Sequence, residues 1–281
     1  MTTFTEAQDA PGAAPRALIV TIYGLYARDA GGWLSVASLI RLMDGLGADE
    51  SAVRSSISRL KQRGVLEPGR RGGAAGYALS APGRAILAEG DRRIFERPRA
   101  RLADGWVLAV FSVPETQRRR RHALRSRLTW LGFGTVSAGV WIAPARLAAE
   151  TAEVLERDAL SGYVDLFRAD YVAFGDPAEQ VGRWWDLDRL QQLYRAFLDS
   201  AEPVLARWES PRDDARERQR EAFKDYVSAL TAWRRLPFLD PGLPAELLPP
   251  GWNGLRADQA FAALRERLAA PAREYVQAVT G

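Results

Sequence analysis

Arg54, Arg59 and Lys61 share one segment with the hydroxyls of Ser51, Ser55 and Ser58, and Arg70 and Arg71 follow shortly after, beside Gly72 and Gly73. A guanidinium presents fixed, forked donors that match phosphate oxygens and the acceptor edge of guanine, while a serine hydroxyl both donates and accepts. These residue types suit the gripping of a polyanion and the reading of hydrogen-bonding edges. Bond-breaking chemistry is poorly provided for. The chain has no cysteine, hence no thiolate nucleophile, disulfide or thiolate metal site. His122 is the only histidine; it stands among arginines and has no second imidazole for a metal pair. The carboxylates are scattered, with no spacing that joins two as acid and base. The expectation is a non-enzyme with no catalytic residues, metal or cofactor.

The basic groups need a scaffold to present them. Val53, Ile57 and Leu60 recur at i, i+4 and i+7, one apolar stripe of a helix whose other face stays free. Asp49 is placed to cap that helix, and Gly64 to end it in a left-handed conformation. Val65 and Leu66 then begin a strand, Arg70 to Gly73 form a hairpin tip, and Tyr77 and Leu79 return. Helix, cap and basic hairpin together make the reading half of a winged helix-turn-helix. Seated in a major groove, the helix brings Ser51, Arg54, Ser55 and Ser58 to base edges or nearby phosphates, with Arg59 and Lys61 on the backbone. Arg70 and Arg71 would enter a minor groove or grip phosphate. The alternative for each is a solvated charged face.

Upstream, Leu18, Ile19, Ile22, Leu25 and Tyr26 are spaced as a supporting helix over residues 16–28, and Ser35 caps another that carries Leu39, Leu42, Met43 and Leu46. Ser80 starts a helix running through Ile86, Leu87, Ile94 and Phe95. From Trp106 to Phe174 the order is strand, helix, strand, strand, helix, strand, the split βαβ plan of ferredoxin-like domains. Such a sheet buries one face and leaves the other for a partner. Beyond Gly175 the pattern is helical, opened by Asp176, Pro177 and Glu179 and interrupted by a proline-rich connection pinned by Phe238, Leu247, Leu248 and Trp252.

At 281 residues the chain is too long for one ordinary core, and the boundaries expected are a disordered tail over 1–15, then domains at 16–98, 99–175 and 176–281. The tail lacks a positive start and apolar block, so it is no secretory signal, and no apolar run is long enough to cross a bilayer. Location in a reducing cytoplasm is expected. A net charge of +4 and a pI near 9.6 favour polyanionic partners, though nearly all of the positive charge is arginine, so placement matters more than total.

Four segments carry a resemblance: WVLAVFSVPE at Trp106 to Glu115, LGFGTVSAGVWIAP at Leu131 to Pro144, WWDLDRLQQLYRAF at Trp184 to Phe197, and LPFLDPGLPAELLPPGW at Leu236 to Trp252. In this order the chain resembles the PaaX-type phenylacetic-acid-degradation repressors, over nearly its whole length. The resemblance implies an α+β protein with an N-terminal winged helix-turn-helix, a middle Cas2-like (ferredoxin-like) domain and a C-terminal helical domain. It also implies a homodimer on double-stranded operator DNA, released by an acyl-CoA effector, typically phenylacetyl-CoA. Coenzyme A needs guanidinium groups beside an apolar slot, for which Arg118, Arg121 and Arg125 with Trp130, Trp141 and Trp184 are candidates; the plainer reading of these tryptophans is core. Two other functions compete. A metal-dependent nuclease of the Cas2 type would carry an aspartate at the end of its first strand, where this chain reads Phe111-Ser112-Val113-Pro114 with no carboxylate until Glu115. A winged helix can also serve as a protein-binding adaptor, against which the basic wing argues.

Overall fold

The computed structural model describes residues 15–28, 31–96, 98–172, 174–209 and 214–281. The expected tail lies outside these, apart from Pro15, which is the first residue of a helix. The described residues form two compact units, each assembled from separate stretches: those up to residue 92 with those within 197–234 and 256–281 in the first, and those within 93–196 and 235–255 in the second.

The first unit opens with α1 (Pro15–Ile22), which continues into a π-helical turn over Tyr23–Ala27. A short strand, β1 (Trp33–Ser35), leads into α2 (Val36–Gly45), whose cap Ser35 accepts the Ser38 amide at 3.0 Å. Gly47, with φ of +76°, turns the chain into α3 (Glu50–Gln62). Gly64 follows at φ +68°, the left-handed conformation its lack of a Cβ allows, and the hairpin β2 (Leu66–Arg71) and β3 (Ala74–Leu79) closes with Gly72 and Gly73 both at positive φ. The sheet order is β1-β3-β2, with Trp33 opposite Ala78. Strand β1 was not foreseen, because three residues are too few to show a period. Then α4 (Ala81–Phe95) begins after Ser80, whose Oγ accepts from the Gly83 amide at 3.0 Å. Leu18, Ile19, Ile22, Leu39, Leu42, Met43, Val53, Ile57 and Leu60 are all buried, as their spacing demands.

That core does not end with the wing. The helix α9 (Ala215–Trp233) packs on α1, with the buried Thr21 and Thr231 hydroxyls 2.8 Å apart. Tyr26 lies against Phe223 (ring centroids 6.0 Å), and Phe223 against Tyr275 (5.1 Å) of α10 (Asn253–Thr280). Trp233 stacks on Phe261 at 4.9 Å and contacts Phe197 at 5.1 Å, in the later part of α8 (Leu187–Arg207).

The second unit is ferredoxin-like. Strands β4 (Trp106–Phe111), β5 (Gly134–Ser137), β6 (Val140–Pro144) and β7 (Val164–Ala169) form an antiparallel sheet in the order β5-β6-β4-β7. Helices α5 (Arg118–Trp130) and α6 (Ala148–Arg157) cover one face, burying Val107, Ala109, Trp141 and Ala143 with Leu124, Leu128, Val154 and Leu155. The last strand ends at Ala169, short of the expected Phe174, where the backbone has turned to a positive φ of 74°. Asp176 caps α7 (Pro177–Trp184), accepting from Ala178 at 2.9 Å. The proline-rich connection is tied down by buried Asp240, which accepts from Tyr194 Oη at 2.6 Å and from the Gly242 amide at 2.8 Å.

Candidate nucleic-acid interface

On α3, Val53, Ser56, Ile57 and Leu60 face the core, so Ser51, Arg54, Ser55, Ser58, Arg59 and Lys61 are all exposed. Burial of Ser56 leaves Ser55 and Ser58 to carry the polar face. Asp49 Oδ1 caps the helix, accepting from Ser51 Oγ at 2.5 Å and the Ala52 amide at 3.1 Å. The Ser51 hydroxyl first, and the backbone amides next, hold the Asp49 carboxyl below its usual range. Arg59 donates to Ser55 Oγ at 3.0 Å. Arg54 is paired with Glu50 at 2.6 Å, with both side chains more than half exposed. A surface pair at this spacing is worth only about 0.3–0.5 kcal/mol, so a guanine edge or a phosphate can take over the guanidinium at little cost. Glu50, at the start of the exposed face, is the partner of the candidate Arg54 that sequence reasoning passed over; its position one residue after the cap was the available signal.

On the wing, strand alternation separates the two arginines. Pro68 and Arg70 pair with Tyr77 and Ala75 on one face, where with Val36 they border an open depression of about 290 Å³. Arg70 donates to Gly73 O at 2.8 Å across the turn. On the other face Gly69 pairs with Gly76, and Trp33 lies over both. Arg71 belongs to this second face: it donates to Gly31 O at 3.0 Å and sits 5.6 Å from the Trp33 ring centroid. Both arginines are exposed, but Arg71 is turned back from the tip.

The six effector candidates fall into separate groups in the second unit. Arg118 and Arg121 converge on Glu115, at 3.1 and 2.6 Å. Arg125 lies over buried Trp141, 5.7 Å from its centroid. Trp130 is flanked by Arg93 (4.3 Å), Arg127 (5.2 Å) and Phe238 (5.5 Å). Trp184 packs with Trp106, Trp185 and Tyr171 at about 6 Å. Glu115, the first carboxylate after β4, has its oxygens committed to two guanidinium groups, which leaves it ill placed to hold a hard cation. Among the described residues no three His, Asp or Glu side chains gather as metal ligands, and no helix is long and apolar enough to cross a membrane.

Three family descriptions match the chain in order: PaaX-like protein over residues 14–83, PaaX protein central Cas2-like domain over 99–181, and PaaX-like protein C-terminal domain over 185–278. The chain is 27% identical over 278 residues to the transcriptional repressor PaaX of Escherichia coli (strain K12), covering 97% of this chain and 87% of that protein. An uncharacterized protein from Mycobacterium tuberculosis has a similar solved structure, with a TM-score of 0.59 and 26% identity, covering 93% of this chain and 98% of its own. With all three parts matched over most of its length, the chain belongs to the PaaX family.

Proposed function

We propose that this chain is a DNA-binding transcriptional repressor of phenylacetate-type catabolic genes, reading its operator through α3 and the wing. The observation that carries the reading is the exposed polar face of a capped α3 beside a basic hairpin, in a chain similar to a transcriptional repressor. Arg54, Ser51, Ser55 and Ser58 read or flank base edges, and Arg59, Lys61 and the wing hold phosphate. The protein is a binding module and not an enzyme.

It acts as a cytoplasmic homodimer, whose two α3 helices meet successive major grooves of double-stranded DNA. An acyl-CoA, of which phenylacetyl-CoA is the first choice, favours a dimer geometry that no longer fits and so shifts the population off the operator. Along the sequence, residues 16–98 read DNA, while 99–175 and 176–281 receive the effector and join the protomers. The Arg118, Arg121 and Arg125 guanidinium groups of α5 are the candidates for the coenzyme's phosphates, whereas Trp130, Trp141 and Trp184, packed in three separate groups, do not together line one apolar slot. The test is gel retardation of the chain's own upstream DNA during titration with phenylacetyl-CoA, with coenzyme A and phenylacetate as controls. Release by the thioester alone is expected. Retention of the complex at saturating thioester would remove the effector assignment, and lack of any retardation would remove the repressor reading.

A further inference from the structure

Arg70 and Arg71 are adjacent cations on the wing, and β-strand alternation sends their side chains to opposite faces. The Arg70 face opens onto the depression bordered by Val36, Pro68 and Tyr77. The Arg71 face is closed by Trp33. A Cβ built on Gly76 would come within 2.5 Å of the Trp33 ring and 2.3 Å of Leu34 O, so the indole fits only because Gly76 has no side chain, while its cross-strand partner Gly69 lies in ordinary contact with the ring at 3.6 Å. The Arg71 guanidinium caps this packing, over the ring and hydrogen-bonded to Gly31 O. Gly31 stands at φ +75°, and a Cβ there would come within 3.0 Å of the Arg71 guanidinium. The hairpin tip is thereby latched to the segment that leads into α2.

Building on the DNA-binding reading, we infer that Arg71 and Trp33 are positioning residues that fix the angle of the wing, whereas Arg70 alone supplies the wing's phosphate contact. Such a latch pre-orders the hairpin, and its loss returns that ordering cost to the binding step. The two roles separate by salt dependence, because each phosphate neutralised adds about 0.9 to the slope of log affinity against log salt.

Affinities of wild type, Arg70→Ala, Arg71→Ala and Trp33→Leu for the upstream DNA should be measured between about 50 and 200 mM salt, with hydroxyl-radical footprints at the lowest salt. Arg70→Ala should flatten the slope by about 0.9. Arg71→Ala should weaken binding by about five- to thirtyfold with the slope unchanged. At saturating protein its footprint should keep the protection due to both the wing and α3, because the bound contacts are unchanged and only the ordering cost is added. Should Trp33→Leu misfold, Arg71→Ala still carries the test. An Arg71→Ala variant that flattens the slope like Arg70→Ala, or binds as wild type does, overturns the inference while leaving DNA binding intact. Wild type that binds no duplex at any salt removes the DNA-binding reading itself.

Discussion

Trp233→Ala probes the joining of the C-terminal helices to the winged helix. Trp233 is 1% exposed, stacked on Phe261 at 4.9 Å and 14°, and 5.1 Å from Phe197. Truncating such a side chain costs about 3–5 kcal/mol through lost burial and the cavity left behind. Against a total stability of about 5–15 kcal/mol this is a large share. For a unit of this size, about 2–4 °C per kcal/mol puts the fall in melting temperature at about 6–20 °C. The loss should spread. Two residues before Trp233, Thr231 meets Thr21 of α1 at 2.8 Å, and the next residue, Arg234, donates to Ala17 O at 3.3 Å. Hydrogen exchange followed by mass spectrometry should therefore show α1 and α3 losing protection together with α9 and α10. If α9 and α10 open while α1 and α3 keep wild-type protection, the two sets of helices do not share a core and the reasoning is refuted.

Gly76→Ala forces a methyl group against Leu34 O and the Trp33 ring, where backbone cannot yield; a loss of about 1–3 kcal/mol in urea melts is expected, and an unchanged midpoint would show that β1 shifts freely. Glu50→Gln removes an anion from the first turn of α3. Fluorescence titrations should find nonspecific duplex bound more tightly and the ratio of operator to nonspecific affinity reduced, whereas an unchanged ratio would deny Glu50 a part in discrimination. Burial raises the hydroxyl pKa of Tyr23 and Tyr26 above the ordinary 10.0, with smaller contributions from Tyr77 and Tyr226 respectively. Since the folded values exceed the unfolded ones, their stabilisation is complete below about pH 10 and declines as pH rises beyond it. Urea midpoints that stay level from about pH 9 to pH 11.5 would contradict this burial.

Much of this was legible locally. The Val53, Ile57 and Leu60 stripe, the Asp49 cap and the glycine turn at Gly72 and Gly73 each follow from residues close in sequence, and α3 and the wing formed as read. The ferredoxin-like order was legible for the same reason, since strand and helix periods alternate cleanly from Trp106 to Ala169. Non-local packing was not. Nothing in the periodicity of residues 197–234 says that they share a core with Tyr26 and Thr21. The direction of Arg71 depends on strand register and on an indole far back in the chain. A tryptophan placed to cover two small cross-strand residues was the available signal. The arginines of α5 read as one cluster, yet Arg121 is drawn to Glu115 and Arg127 to Asp158 at 2.5 Å, since each guanidinium finds its nearest carboxylate.

The most direct test is competitive gel retardation of the chain's upstream DNA in excess unrelated duplex, with wild type and Arg54→Ala side by side. Wild type should retain the upstream fragment, and Arg54→Ala should bind it with a loss of about 1–3 kcal/mol, a weakening of roughly five- to 150-fold. Equal retention of unrelated and upstream DNA by wild type, or an Arg54→Ala variant as tight as wild type, would contradict the assignment of α3 as the reading element.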